Sequence, residues 1–94
     1  MLCLVIYDIV SDKKRKALAD KLFDFGLERI QYSGFKGELN AHDRMLLINE
    51  VRQFVDNPRD SIYVIPLCDR CSNTAEVISE SGITLIKESK VTVV

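Results

Sequence analysis

Apolar positions along the chain alternate between short runs and helical stripes. "LCLVIYDI", Leu2 to Ile9, is too short for a typical helix and carries Val5, Ile6, Tyr7 and Ile9, which predicts a strand apolar on both faces. Ser11 or Asp12 can cap the next segment, a helix with Leu18, Leu22 and Phe25 as its inward stripe and Gly26 as its stop. "LERIQYSGFKGEL", Leu27 to Leu39, is rich in strand-forming residues, and Gly34 and Gly37 are expected to break it into two strands or bend one. Asn40, with Asp43 three residues on, resembles a capping box and opens a helix with Leu47, Ile48, Val51, Phe54 and Val55 on one face. Pro58 ends that segment. "SIYVIPLC" is a second strand apolar on both faces, which Pro66 assigns to a sheet edge or to the end of its pairing. A polar stretch with Gly82 leads to a last short strand, "ITLIKE", and the tail "SKVTVV".

The predicted order is βαββαβ with an extra C-terminal strand, an α+β chain of the ferredoxin-like arrangement with an antiparallel sheet. Two helices cover one face of such a sheet and leave the other bare, yet the first and fourth strands are apolar on both sides. A bare apolar face marks an interaction site, and a two-fold homodimer covers it with a single patch, sheet on sheet or edge to edge. The C-terminal strand and tail, residues 76–94, are expected to pack on the partner subunit by strand addition.

Composition narrows the class without choosing a function. Ninety-four residues, 47% hydrophobic and 29% charged, fit a single globular domain over 1–94. A formal net charge of -1 gives no whole-molecule attraction to polyanions, so any nucleic-acid contact must come from local clusters. No apolar run approaches the roughly 20 residues of a membrane span, and Leu2 to Ile9 lacks a basic leader and cleavage site, so a cytoplasmic protein with no membrane partner is expected. Three cysteines without an export signal argue for reduced thiols over a disulfide framework.

Alternation along the first strand places Asp8 at its carboxyl end, on one face with Leu4 and Ile6 and opposite Cys3, Val5 and Tyr7. Two roles are open to it: accepting hydrogen bonds from the following turn, or binding a hard cation. Near a dimer axis two copies of Asp8 could approach each other, and Mg²⁺, which takes one or two carboxylates and keeps several waters, suits such a pair. Bound there, it would polarise a phosphodiester and activate water. "KKRK", Lys13, Lys14, Arg15 and Lys16, lies in the first helical turns, where cations oppose the helix dipole. With Arg29 and Lys36 it could form a band that contacts phosphates, and it could equally be an ordinary solvated face. "CDRC" gives Cys68 and Cys71 the spacing of half a zinc site or of a redox pair, with Cys3 and His42 as the remaining ligands to hand and no thioredoxin-like context in view. No Ser/His/Asp order, phosphate-binding glycine loop or dinucleotide fingerprint is present.

Taken together, "VIYDI" with Asp8, the basic helix start with Arg15, "GLERIQYSGFKGEL" with Gln31, Ser33 and Phe35, and "SIYVIPL" resemble the CRISPR-associated protein two family over residues 1–70. An acid-ended first strand followed by an R-x-Q-x-S-x-F stretch is the specific part of the match; Gly34 stands where a branched apolar residue is common before the Phe. The resemblance implies a homodimer that acts with the CRISPR integrase, bridging two integrase dimers and holding duplex DNA. It also implies, for some members, a metal-dependent endonuclease acting on RNA or DNA, with the first-strand acid, here Asp8, as catalytic metal ligand. Lys13, Lys14, Arg15, Lys16, Arg29, Ser33 and Lys36 are then the expected nucleic-acid contacts. Two rivals remain: a structural or ligand-sensing dimer in which Asp8 caps a turn, and a toxin-like ribonuclease acting on single-stranded RNA without an integrase.

Overall fold

The computed structural model describes residues 1–80, 82 and 90–92. Strand β1 (Leu2–Asp8) leads through helix α1 (Asp12–Asp24) to the hairpin β2 (Glu28–Gln31) and β3 (Gly34–Glu38), then to helix α2 (Ala41–Val51) with a single 3-10 turn over Arg52–Phe54. Strand β4 (Ser61–Leu67), the short helix α3 (Asp69–Thr74) and strands β5 (Glu76–Ile78) and β6 (Lys90–Thr92) complete the order. The main sheet runs β2-β3-β1-β4 with every pairing antiparallel, which is the ferredoxin-like arrangement expected. Among the described residues β4 pairs with β1 alone, so Pro66 lies on an edge strand, opposite Cys3.

Local chemistry sets the element ends. The Ser11 hydroxyl accepts from the Lys14 amide at 3.3 Å and starts α1, and Gly26, at φ +81°, supplies the left-handed residue that ends it. Asn40 Oδ1 accepts from the Asp43 amide at 2.7 Å and starts α2. Leu47, Val51 and Phe54 are buried, but Val55 is exposed: after Val51 the backbone tightens to three residues per turn, and the expected stripe rotates away from the core one residue early.

The core lies between the helices and one face of the sheet. Cys3, Val5 and Tyr7 of β1 and Phe35 of β3 pack there with Leu18 and Leu22 of α1 and Leu47 of α2. Leu4, Ile6 and Asp8 turn the other way. Their cross-strand neighbours on that second face include Tyr63 and Ile65, exposed by 59% and 37% beside Ile6 at 36%, so the described sheet carries an apolar patch open to solvent.

Two details depart from the sequence reading. The stretch does divide into the expected pair of strands, but the break falls at Tyr32 and Ser33 and both glycines lie in β3. A Cβ at Gly37 would fall 2.3 Å from Leu27 Cδ2 and 3.3 Å from Leu27 Cα, so this glycine permits close approach of the α1–β2 link to β3. Near the C-terminus, α3 and β5 occupy the stretch read as merely polar, and β5 pairs with β6 in parallel as a separate two-stranded sheet. The expected strand "ITLIKE" lies outside the described residues.

The turn between β1 and α1 is held by an acid from far along the chain. Asp60 accepts from the amides of Val10 at 2.8 Å, Asn57 at 3.0 Å and Asp56 at 3.2 Å. The Val10 bond, against some desolvation and helped by the Asn57 bond and the charge of Lys14, holds the Asp60 carboxyl below the usual carboxylate range. A depressed folded pKa gives stability that is present above the unfolded value, about 3.9, and is lost as pH falls through the folded one. Asp60→Asn is therefore expected to lower the melting temperature at pH 7, with the gap to the parent closing below about pH 4; thermal unfolding followed by circular dichroism across pH checks this.

Candidate functional site

Because Asp60 fills the turn, Asp8 does not. The Asp8 side chain is exposed at the end of β1 beside Ser61 of β4, and among the described residues its carboxylate has no hydrogen-bond or ion-pair partner. This removes the capping role as the reason for an acid here and leaves a charged oxygen pair at the end of the open apolar face. Among the described residues no group of three or more His, Cys, Asp or Glu is gathered. Asp8 thus stands as one carboxylate per chain, a set that suits Mg²⁺ only with waters, phosphate oxygens or a second copy of Asp8 as further ligands.

The cations assemble elsewhere. A cavity of about 460 Å³ opens between α1 and the β2–β3 hairpin, lined by Arg15 and Lys16 of α1, Arg29 of β2, Tyr32 of the turn, Phe23, Tyr7, and the acids Asp12 and Asp20. Positions 12, 16 and 20, and 15, 19 and 23, are four-residue steps, so one face of α1 supplies most of the lining. Arg15 lies 5.7 Å from the centroid of the Tyr32 ring, and Arg29 lies 5.1 Å from Phe35 and 5.9 Å from Phe23. Arg29 and the Tyr7 hydroxyl both donate to the Tyr32 carbonyl, at 3.2 and 3.4 Å, which pins the turn over the cavity. Burial pushes the Tyr7 phenol up, with Arg29 and Arg15 acting in the opposite direction.

Three cations against two carboxylates leave this lining one charge positive. Arg15 is ion-paired with Asp12, whose side chain is 97% exposed, and such a pair exchanges for a phosphate at little cost. The planar guanidinium groups beside aromatic rings offer two modes of contact at once, bidentate bonds to phosphate and stacking with a base.

The expected band is therefore divided. Arg15, Lys16 and Arg29 meet at the cavity. Lys13 is exposed on α1 outside that lining, and Lys14 is ion-paired with Asp56. Lys36, 9% exposed, lies opposite Leu4 on the other sheet face because strand alternation sends it there, and Ser33 gives its carbonyl to the Tyr7 amide. Asp8 is likewise outside the cavity: alternation turns Tyr7 toward it and Asp8 away. Tyr32 and Phe23 escaped the sequence reading, although an aromatic one turn beyond Ala19 on a basic helix face was the available signal. The zinc set does not form, since Cys3 is buried in the core while Cys68 and Cys71 are exposed and His42 is exposed in the first turn of α2.

The model of the family described as CRISPR associated protein Cas2 matches residues 1–75. The chain belongs to the Cas2 family. It is 55% identical over 91 residues to the CRISPR-associated endoribonuclease Cas2 1 of Archaeoglobus fulgidus, a match that covers 97% of each chain. It is 43% identical over 67 residues to the CRISPR-associated endoribonuclease Cas2 of Korarchaeum cryptofilum, covering 71% of this chain and 72% of that one. Among solved structures, Cas2 of Streptococcus pyogenes superposes with a TM-score of 0.64 at 26% identity, covering 72% of this chain and 87% of its own. A hypothetical protein of Thermus thermophilus superposes with a TM-score of 0.65 at 33% identity, covering 71% and 80%. The Cas2 likeness thus extends from the sequence motifs to the order and pairing of the strands, and no helix among the described residues is long and apolar enough to cross a membrane.

Proposed function

We propose that this Cas2-family protein is a nucleic-acid-binding homodimer of CRISPR spacer acquisition with metal-dependent endonuclease activity, RNA being the first substrate to test. The observation that carries the reading is the exposed, unengaged carboxylate of Asp8 at the edge of an open apolar sheet face in a chain 55% identical to a protein named as an endoribonuclease. Ile6, Tyr63 and Ile65 give a second copy a patch to cover, and face-to-face pairing would bring two Asp8 residues toward one axis. The C-terminal segment from residue 76 would pack on the partner in the same assembly, which would work in the cytoplasm beside the integrase subunit and its duplex DNA.

The Asp8 pair would hold Mg²⁺, which when bound supplies a Lewis acid and a water of lowered pKa. The chain's own residues do the rest. Arg15, Lys16 and Arg29 neutralise and orient the backbone of the strand, and Tyr32 offers a ring face to an unpaired base. Lys13 and Lys14 extend the phosphate track along α1, while Ser33 and Lys36 contribute from the hairpin only if it rearranges on binding.

Salt dependence tests the binding half. The affinity for short duplex DNA or single-stranded RNA should fall steeply with salt, and Arg15→Gln and Arg29→Gln should each reduce the slope of log K against log salt by about 0.9 on duplex or about 0.7 on a single strand. Binding isotherms at several salt concentrations check this. A slope near zero in the parent protein would favour the structural or ligand-sensing dimer.

A further inference from the structure

Cys68 and Cys71 are exposed thiols that take no part in the site above. Their surroundings differ from what the sequence alone implied: β4 ends at Leu67, Cys68 is the residue that caps α3, and Cys71 lies within the first turn of that helix. The Cys71 amide donates to Cys68 Sγ at 3.4 Å, so the Cys68 sulfur is folded back over the turn that carries Cys71. Cys68 has the extended backbone of a cap and not a helical one, so its Cβ is free to close on that of Cys71 toward the roughly 3.5–4.5 Å that a disulfide needs. The third cysteine, Cys3, is fully buried and cannot compete. The Cys71 amide bond, helped by the nearby Cys71 thiol, pushes the Cys68 thiol down in pKa, and the neighbouring Cys68 sulfur pushes Cys71 up, which separates an attacking sulfur from a resolving one.

We infer that Cys68 and Cys71 form a thiol–disulfide exchange site, in which Cys68 attacks a small-molecule disulfide and Cys71 closes an intrachain bond. The Cys68 thiolate displaces one thiolate from the oxidant, giving a mixed disulfide. Cys71 then loses its proton and attacks the Cys68 sulfur, releasing the second thiolate. The chain gives up two electrons and two protons, and the small disulfide is reduced to two thiols. The bond spans the first turn of α3, the link between edge strand β4 and β5. It is independent of Asp8 and of the cavity, so its failure would leave the nucleic-acid reading untouched.

The test is equilibration of the reduced full chain with oxidised and reduced glutathione at graded ratios, with rapid alkylation and intact-mass measurement. The expected product has lost two hydrogens and both exposed thiols, while Cys3 alkylates only after unfolding. Cys71→Ser should stop at one glutathione on Cys68, and Cys68→Ser should acquire glutathione roughly tenfold more slowly. Circular dichroism of both variants guards against reading a folding defect as chemistry. Equal rates in the two variants, a parent chain that stops at the mixed disulfide or links only between chains, or no reaction at all would overturn the inference.

Discussion

Asp8→Ala is expected to lower the Mg²⁺-dependent cleavage rate by about a hundredfold or more, the scale set by removing one group that stabilises charge in a transition state, without loss of folding. The reason lies in what Asp8 does not do. The turn beside it is built on Asp60, and among the described residues the Asp8 carboxylate bonds to nothing, so its removal leaves no orphaned donor. Asp8→Asn keeps the shape and removes the charge, and it should be equally inactive if a cation is held there. The measurement is initial cleavage rate against Mg²⁺ concentration for all three proteins, beside their melting temperatures and sedimentation. Unchanged rates in a folded, dimeric Asp8→Ala protein would assign the chemistry to other residues.

Phe35→Ala should produce the largest stability loss of any single substitution in the hairpin. The ring is fully buried, packs edge-on against Phe23 at 5.0 Å and stacks beside Tyr7 at 6.3 Å, with Arg29 over its face. Emptying such a position costs about 3–5 kcal/mol, against a total stability of about 5–15 kcal/mol for a domain. At about 4–8 °C per kcal/mol for a chain near this size, the melting temperature should fall by more than about 12 °C. Phe35→Leu should lose much less, because it refills most of the volume. Denaturant melts of both variants check the ranking. The Arg29 guanidinium packs over this ring, so weaker nucleic-acid binding by Phe35→Ala would be an indirect effect of packing, separable from the direct effect of Arg29→Gln at matched temperature below both melts.

Most of the fold was legible because its signals are local. Ser11, Gly26 and Asn40 act at the positions where their chemistry placed them, and the two-residue period of β1 separates Tyr7 from Asp8. The glycines of β3 were misread because a glycine that breaks a strand and one that lets Leu27 approach look the same in one dimension. Helix α3 went unseen for a related reason: five polar residues and a lone Cys71, capped by Cys68, carry no apolar stripe.

The site was less legible than the fold. Alternation could place Asp8 at the end of its strand, but its role as a metal ligand came from the family resemblance and stands as a proposal. Its cations could be named but not grouped, because their grouping depends on which face of α1 meets the hairpin and on alternation in β3. Arg15, Lys16 and Arg29 share a cavity, while Lys36 is withdrawn onto the opposite face of the sheet and Lys14 is tied to Asp56. The partner that would cover Ile6, Tyr63 and Ile65 leaves only its demand in the sequence, an apolar patch without an occupant.

The most direct test of the central claim is the cleavage of end-labelled single-stranded RNA by the purified parent protein, with Mg²⁺ and with an excess of chelator, beside duplex DNA under the same conditions. The account predicts RNA cleavage with Mg²⁺ and none with chelator. Cleavage that survives chelation, or none in either condition by a protein that binds the substrate tightly, would contradict it and leave a nucleic-acid scaffold in place of a nuclease.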